Sequence, residues 1–145
     1  MRRDEAVARL RSARVGHLAT MTSGSRPHVV PFVFVVIESD AAVRVYWAVD
    51  DKPKRSPRIK RIRNIETNRA VELVVDGYDE DWSALWWVRA AGSGRIVREP
   101  AEHAAALVAL EAKYPQYAAA PPPGPMVAID VERITSWEAT PNPEP

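Results

Sequence analysis

Seven of the twelve residues from 52 to 63 are basic (Lys52, Lys54, Arg55, Arg58, Lys60, Arg61 and Arg63), and none is acidic. The whole chain carries 20 basic and 19 acidic residues, so the excess of positive charge is local to this segment. Ser56-Pro57 in its middle marks a helix start, because serine caps and proline fits the first turn. The partial positive charge of a helix N-terminus opposes cations placed there. Such crowding is understandable if an anion neutralises both the side chains and the unpaired N–H groups, and helix starts bind phosphate for this reason. The segment offers both planar guanidinium forks and a mobile ammonium. Arg58 and Lys60 are the first candidates for a phosphate, with Lys52, Lys54 and Arg55 in support.

Other residues carry weaker signals. Pro31 interrupts the apolar run Val29 to Ile37 and cannot donate to a strand ladder, so it marks an edge, a register break or an opening for a planar ligand. In the last case the backbone of Pro31, Phe32 and Val33 would face the ligand. Trp82, Trp86 and Trp87 fall within six residues, and Tyr46-Trp47 ends a strand. Trp86 and Trp87 read as core or interface, whereas Tyr46, Trp47 and Trp82 border loops where a ring-binding cleft could form. His17, His28 and His103 are far apart and form no metal-ligand pair. Gly92-Ser93-Gly94 precedes no helix, so it is not a dinucleotide loop. The acidic loop 76–81 lacks calcium-loop spacing.

The elements that must position these residues follow from periodicity and punctuation. A short helix is expected over 4–13 and strands over 15–21, 27–37 and 43–49, the three forming an antiparallel meander. A helix over 57–65 follows, with Ile59, Ile62 and Ile65 facing inward. A fourth strand spans 70–75. A long fifth strand spans 83–98, bent by a bulge at Gly92 and Gly94. Glu99-Pro100 opens a helix over 101–113, the prolines of 121–125 make a rigid link, and a sixth strand covers 126–137. Strands in direct succession argue against a parallel doubly wound sheet. The expected fold class is mainly β with peripheral helices, a small split β-barrel occupying 1–140, with 141–145 a disordered tail.

The totals narrow the classes further. A length of 145 residues suits one domain, and a hydrophobic content of 46% is that of an ordinary globular chain. A net charge of +1 argues against bulk nucleic-acid binding, and the separation of aromatics from cations argues against an RNA-binding barrel. No cysteine is present, which removes disulfides and thiol chemistry. No apolar run approaches a membrane span, and the charged N-terminus has no signal-peptide core, so a cytoplasmic protein is expected.

Several segments together resemble the split-barrel flavin- and deazaflavin-binding proteins related to pyridoxamine 5'-phosphate oxidase. They are Val15-Gly16-His17-Leu18-Ala19-Thr20-Met21, Ser25-Arg26-Pro27-His28-Val29-Val30-Pro31-Phe32, Val43-Arg44-Val45-Tyr46-Trp47, and the stretch from Lys60-Arg61-Ile62-Arg63-Asn64 to Arg69-Ala70-Val71. The short single-barrel form is most similar to the group using the deazaflavin coenzyme F-420. The resemblance implies a homodimeric oxidoreductase with the cofactor in a groove between protomers, transferring a hydride to a small electron-poor substrate. It places the phosphate on Arg58 and Lys60, with Lys52, Lys54 and Arg55 nearby. The ring is placed near Pro31, Phe32, Val33 and Tyr46 or Trp47, with Trp82 or Trp86 lent by the partner protomer. FMN in place of the deazaflavin is the alternative, as is a non-catalytic carrier of flavin, haem or another tetrapyrrole. A haem would want an axial His17 or His28. No catalytic acid is assigned. The chain ends in Ser136-Trp137-Glu138-Ala139-Thr140 and a proline-rich tail, without the substrate-phosphate motif of the pyridoxamine 5'-phosphate oxidases proper, so that activity is not expected.

Overall fold

Alternation of apolar and polar residues sets the strands, and each helix has identifiable ends. The computed structural model describes residues 1–49 and 57–140, apart from the side chains of 57–59. Helix α1 spans Arg3–Ser12, followed by β1 (Gly16–Met21), β2 (Pro27–Phe32), β3 (Val35–Ser39) and β4 (Ala42–Ala48). Helix α2 spans Pro57–Thr67, and β5 spans Ala70–Gly77. A single 3-10 turn, Trp82–Ala84, leads into β6 (Trp86–Ile96). Helices α3 (Pro100–Lys113) and α4 (Pro115–Ala119) precede β7 (Met126–Glu138). The Glu99 carboxylate accepts from the N–H groups of Ala101 and Glu102, at 3.1 and 2.8 Å, and so caps α3 beside Pro100.

All pairings are antiparallel, and the strands form one sheet in the order β2-β1-β5-β6-β7-β4-β3. The expected meander is therefore corrected. The run 27–37 is two strands, split at Val33-Phe34, and they occupy opposite edges of the sheet. A link of two residues cannot span a flat seven-stranded sheet, given a spacing of about 4.8 Å between neighbouring strands. The sheet must curl until its edges meet without pairing, which makes it a split barrel. Among the described residues there are seven strands rather than six. The fifth expected strand also starts later, because Asp81 caps the 3-10 turn through Ser83 N at 3.0 Å.

The split is held by a polar knot. Phe34 N donates to the Tyr114 hydroxyl at 3.1 Å, and that hydroxyl lies 2.9 Å from the carbonyls of both Phe34 and Arg14. Lys113 Nζ donates to the same Phe34 carbonyl at 2.9 Å and sits 4.4 Å from the Phe34 ring centroid. Burial, with the nearby Arg14 charge second, lowers the Lys113 amine to about 8 from its ordinary 10.5. Between these values the unfolded chain holds the extra proton, so this group makes stability rise with pH from about 8 to 10.5. Denaturant midpoints measured from pH 7.5 to 9.5 are expected to climb more steeply in the native protein than in Lys113→Met. Parallel curves would refute this. The window stops short of the tyrosines, since Tyr46 is raised to about 12 and Tyr114 is also raised, both chiefly by burial.

Two cores explain which strands read as apolar throughout. Inside the barrel lie Leu18, Phe34, Val36, Val45, Trp47, Leu73, Val88 and Ile129, closed at one end by Val7 and Leu10 of α1. Outside it, α3 packs Ala106 and Leu110 on Val35, Tyr46, Met126 and Ala128. The β3-β4-β7 part of the sheet is thus covered on both faces near α3. The outer face of β1, β5 and β6 carries no helix, and its residues alternate between buried and accessible.

Candidate cofactor-binding site

Helix α2 is anchored between β1 and β6 by contacts that its sequence spacing prepares. Ile65 is fully buried over Gly94, where a Cβ would come within 3.1 Å of its Cγ2. One residue earlier, Asn64 is buried and its Nδ2 donates to Thr20 Oγ1 at 3.0 Å. Residue 61 is one turn before both and shares their face. Arg61 is accordingly 9% exposed, its guanidinium carbon 4.9 Å from the centre of the Trp47 ring inside the barrel. Lys60, beside it, is exposed.

Strand β2 brings a third nitrogen base to this place. His28 stands opposite Thr20 in the β1-β2 ladder and therefore lies on the same side of the sheet as the Thr20-Asn64 bond. Its Nδ1 is buried and has no hydrogen-bond partner among the described residues. Burial first, then the charges of Lys60 and Arg61, holds the imidazole below its ordinary 6.5, so it is neutral at pH 7. Two elements distant in sequence thus bring His28 within electrostatic reach of Lys60 and Arg61.

On the opposite, outer face of the sheet lies a shallow groove of about 440 Å³. Its rim includes Pro27 and Met21, its floor Ala19, Ala70 and Ala91, and its far end Glu72 and Arg133. Glu72 lies 3.6 Å from Arg89 and 3.9 Å from Arg133. A second hollow of about 380 Å³ is lined by Val74, Asp76, Tyr78, Trp87 and Arg89.

Of the residues expected from sequence to bind a cofactor, Lys60 belongs to this cluster. Lys52, Lys54 and Arg55, and the side chain of Arg58, lie outside the described residues. Pro31 is exposed on the edge strand β2, opposite His17. Val33 is half-buried in the link to β3. Phe32 is buried and stacked on Phe34, with centroids 4.9 Å apart. Tyr46 and Trp47 do not border a cleft: they are 4% and 1% exposed and enter different cores, on opposite faces of β4. Trp86 packs against the barrel interior under Arg9, whose guanidinium carbon is 4.7 Å from its ring centre. Trp82, by contrast, is 77% exposed. Sequence reasoning gave Arg61 no cofactor role and His28 only that of an axial haem ligand. The spacing of Arg61 from Asn64 and Ile65 could have placed it on the inner face. His28 carries no local signal, because its neighbours come only from strand register and helix docking.

An open antiparallel barrel with a cationic helix docked on β1 and β6 defines the class of protein. The chain belongs to the pyridoxamine 5'-phosphate oxidase family, whose model matches residues 2–142. No curated protein matches. Among solved structures it is similar to a conserved hypothetical protein of Mycobacterium tuberculosis, at 22% identity and a TM-score of 0.73, covering 96% of this chain and 86% of that one. A conserved protein of unknown function from Corynebacterium diphtheriae is 25% identical, with a TM-score of 0.69 and coverage of 94% and 93%. A FAD-binding protein of Mesorhizobium loti is 21% identical, with a TM-score of 0.66 and coverage of 94% of each chain.

Among the described residues no group of His, Asp and Glu is arranged to hold a metal ion, and no helix is long and apolar enough to cross a membrane.

Proposed function

We propose that this protein is a homodimeric oxidoreductase that binds a phosphate-bearing flavin-type coenzyme, the deazaflavin F-420, and serves hydride transfer to a small electron-poor substrate. The observation that carries this reading is the docking of the cationic helix α2 through Asn64 and Thr20, which sets the exposed Lys60 on the side of the sheet where His28 leaves a buried nitrogen unpaired. A cation with an unsatisfied buried nitrogen suits a phosphate. When bound, the coenzyme supplies the hydride chemistry. The chain's own part is to hold the anionic end, to shield one ring face and to keep water from it. The outer face of β1, β5 and β6, left bare by α3, is the surface for the second protomer. Exposed Tyr78, Trp82 and Trp137 are aromatics available to reach across.

A second reading puts FMN or FAD in the same place, and the FAD-binding protein of Mesorhizobium loti favours it. Titration with F-420, FMN and FAD, followed by quenching of tryptophan fluorescence, tests both. One coenzyme is expected to bind in the micromolar range or tighter, and Lys60→Ala is expected to weaken it about tenfold, equivalent to ~1.4 kcal/mol. Lys60 is exposed, so its removal leaves the fold intact and the loss reports on binding. If none of the three binds, the proposal fails. If one binds and Lys60→Ala binds it equally well, the phosphate is held elsewhere.

A further inference from the structure

Apart from the axial role that a haem would want, His28 has no ligand role in the resemblance or in the reading of the basic segment, yet its surroundings are unusual. It sits on the edge strand β2, facing the Thr20-Asn64 bond and the cations of α2. A buried lone pair without a donor costs less than a buried N–H without an acceptor, because the N–H forfeits a stronger interaction with water. The bare, buried Nδ1 therefore fixes the neutral tautomer. The ring proton is on Nε2, the nitrogen that is not enclosed. An N–H on this side of the sheet adds a donor to the ammonium of Lys60 for a tetrahedral oxyanion.

We infer that His28 is a direct ligand of the anionic group bound by Lys60, donating from Nε2, and that its ring takes up a proton as the anion binds. This rests on the phosphate placement proposed above and assigns a further residue to it. The uptake follows from charge. Among the described residues the charged groups bearing on His28 are Lys60 and Arg61 of α2, while β1 presents only the uncharged Thr20, bonded to Asn64. A dianion beside Lys60 offsets the repulsion that adds to burial in disfavouring the charged imidazole, and by linkage a proton then favours the anion equally.

Sulfate is the probe, since it stays a dianion from pH 5 to 8 while phosphate titrates in that range. The three histidine ring signals are followed by NMR against pH, with and without saturating sulfate at constant ionic strength. His28 is assigned by its disappearance in His28→Gln. Should that variant not fold, His17→Gln and His103→Gln assign it by elimination. Without sulfate, the nitrogen shifts of His28 are expected to report the Nε2–H tautomer and a midpoint below 6.5. Sulfate is expected to raise that midpoint by about one pH unit. Its affinity is then expected to fall about tenfold between pH 5.5 and 8, and His28→Gln to abolish this dependence.

A midpoint unmoved by bound sulfate, an Nδ1–H tautomer, or no sulfate binding near α2 overturns the inference. The two proposals fail separately. Coenzyme binding with an indifferent His28 removes only this one. A responsive His28 in a protein that binds no flavin or deazaflavin removes only the oxidoreductase reading.

Discussion

Gly92→Ala is expected to destabilise the protein by about 3 kcal/mol, at the upper end for forcing atoms into a packed site. A Cβ at residue 92 would stand 2.2 Å from the carbonyl oxygen of Asp130 and 2.9 Å from its carbon. Both are backbone atoms of the neighbouring strand and cannot turn aside as a flexible side chain would. The closeness comes from a bulge. Ala91 pairs with Arg133 and Gly92 with Val131, so Glu132 is the extra residue and β7 presses onto β6 there. The backbone torsion at Gly92 is not in the left-handed region, so the requirement for glycine is one of space alone. Differential scanning calorimetry is expected to show a fall of roughly 10 °C in the melting midpoint. Gly24→Ala is the control, because a Cβ there meets only Thr22 Oγ1, at 4.0 Å. Equal midpoints for the two variants would show that the bulge relaxes without cost.

Arg95→Met is expected to cost about 2–3 kcal/mol, the scale of losing hydrogen bonds to charged groups, discounted for partial exposure. Arg95 binds Glu102 through two bonds of 2.8 and 2.7 Å and Asp130 through bonds of 2.7 and 3.2 Å. Arg44 also reaches Asp130 at 3.0 Å, and the Tyr46 hydroxyl donates to Glu102 at 2.7 Å. One guanidinium therefore joins β6, β7 and, through Tyr46, β4 to the first turn of α3. It is 28% exposed, so solvent replaces only part of what is lost. Hydrogen bonds from Arg95 are the main reason that the carboxyls of Glu102 and Asp130 lie below their ordinary values of 4.5 and 3.8. For carboxyls lowered by folding, the stabilisation is full above the unfolded values and disappears as pH falls through the folded ones. The native protein is thus expected to lose stability steeply below about pH 4.5, and Arg95→Met less steeply, when urea midpoints are compared from pH 3 to 7. If Arg95→Met matches the native protein at pH 7, the network is only a surface decoration.

Legibility in the sequence varied with how local the signal was. The start of α3 was readable because Glu99-Pro100 is a cap and a first-turn residue in succession. The bulge was readable because two glycines in a strand have few other uses. The local excess of positive charge over residues 52–63 was readable from composition alone. The break at Val33-Phe34 was not, because the apolar run continues through it. Phe32 and Phe34 face the barrel interior while Val35 meets α3, so both parities are apolar for reasons that lie in distant parts of the chain. Tyr46 and Trp47 were misplaced for a related reason. A strand next to a loop reads as peripheral, but α3, the barrel interior and Arg61 cover both faces of β4.

Three things were settled by the amino-acid sequence alone: a mainly antiparallel chain, one cation-rich helix and a glycine bend. All three depend on contacts within a few residues, where alternation, capping and conformational freedom act directly. Only the tertiary structure decided that β2 and β3 form the two unpaired edges, that Arg61 turns inward onto Trp47, and that His28 stands beside the Thr20-Asn64 bond. These depend on register between strands far apart in the chain. A register is chosen by the closure of the whole sheet rather than by any one segment of it.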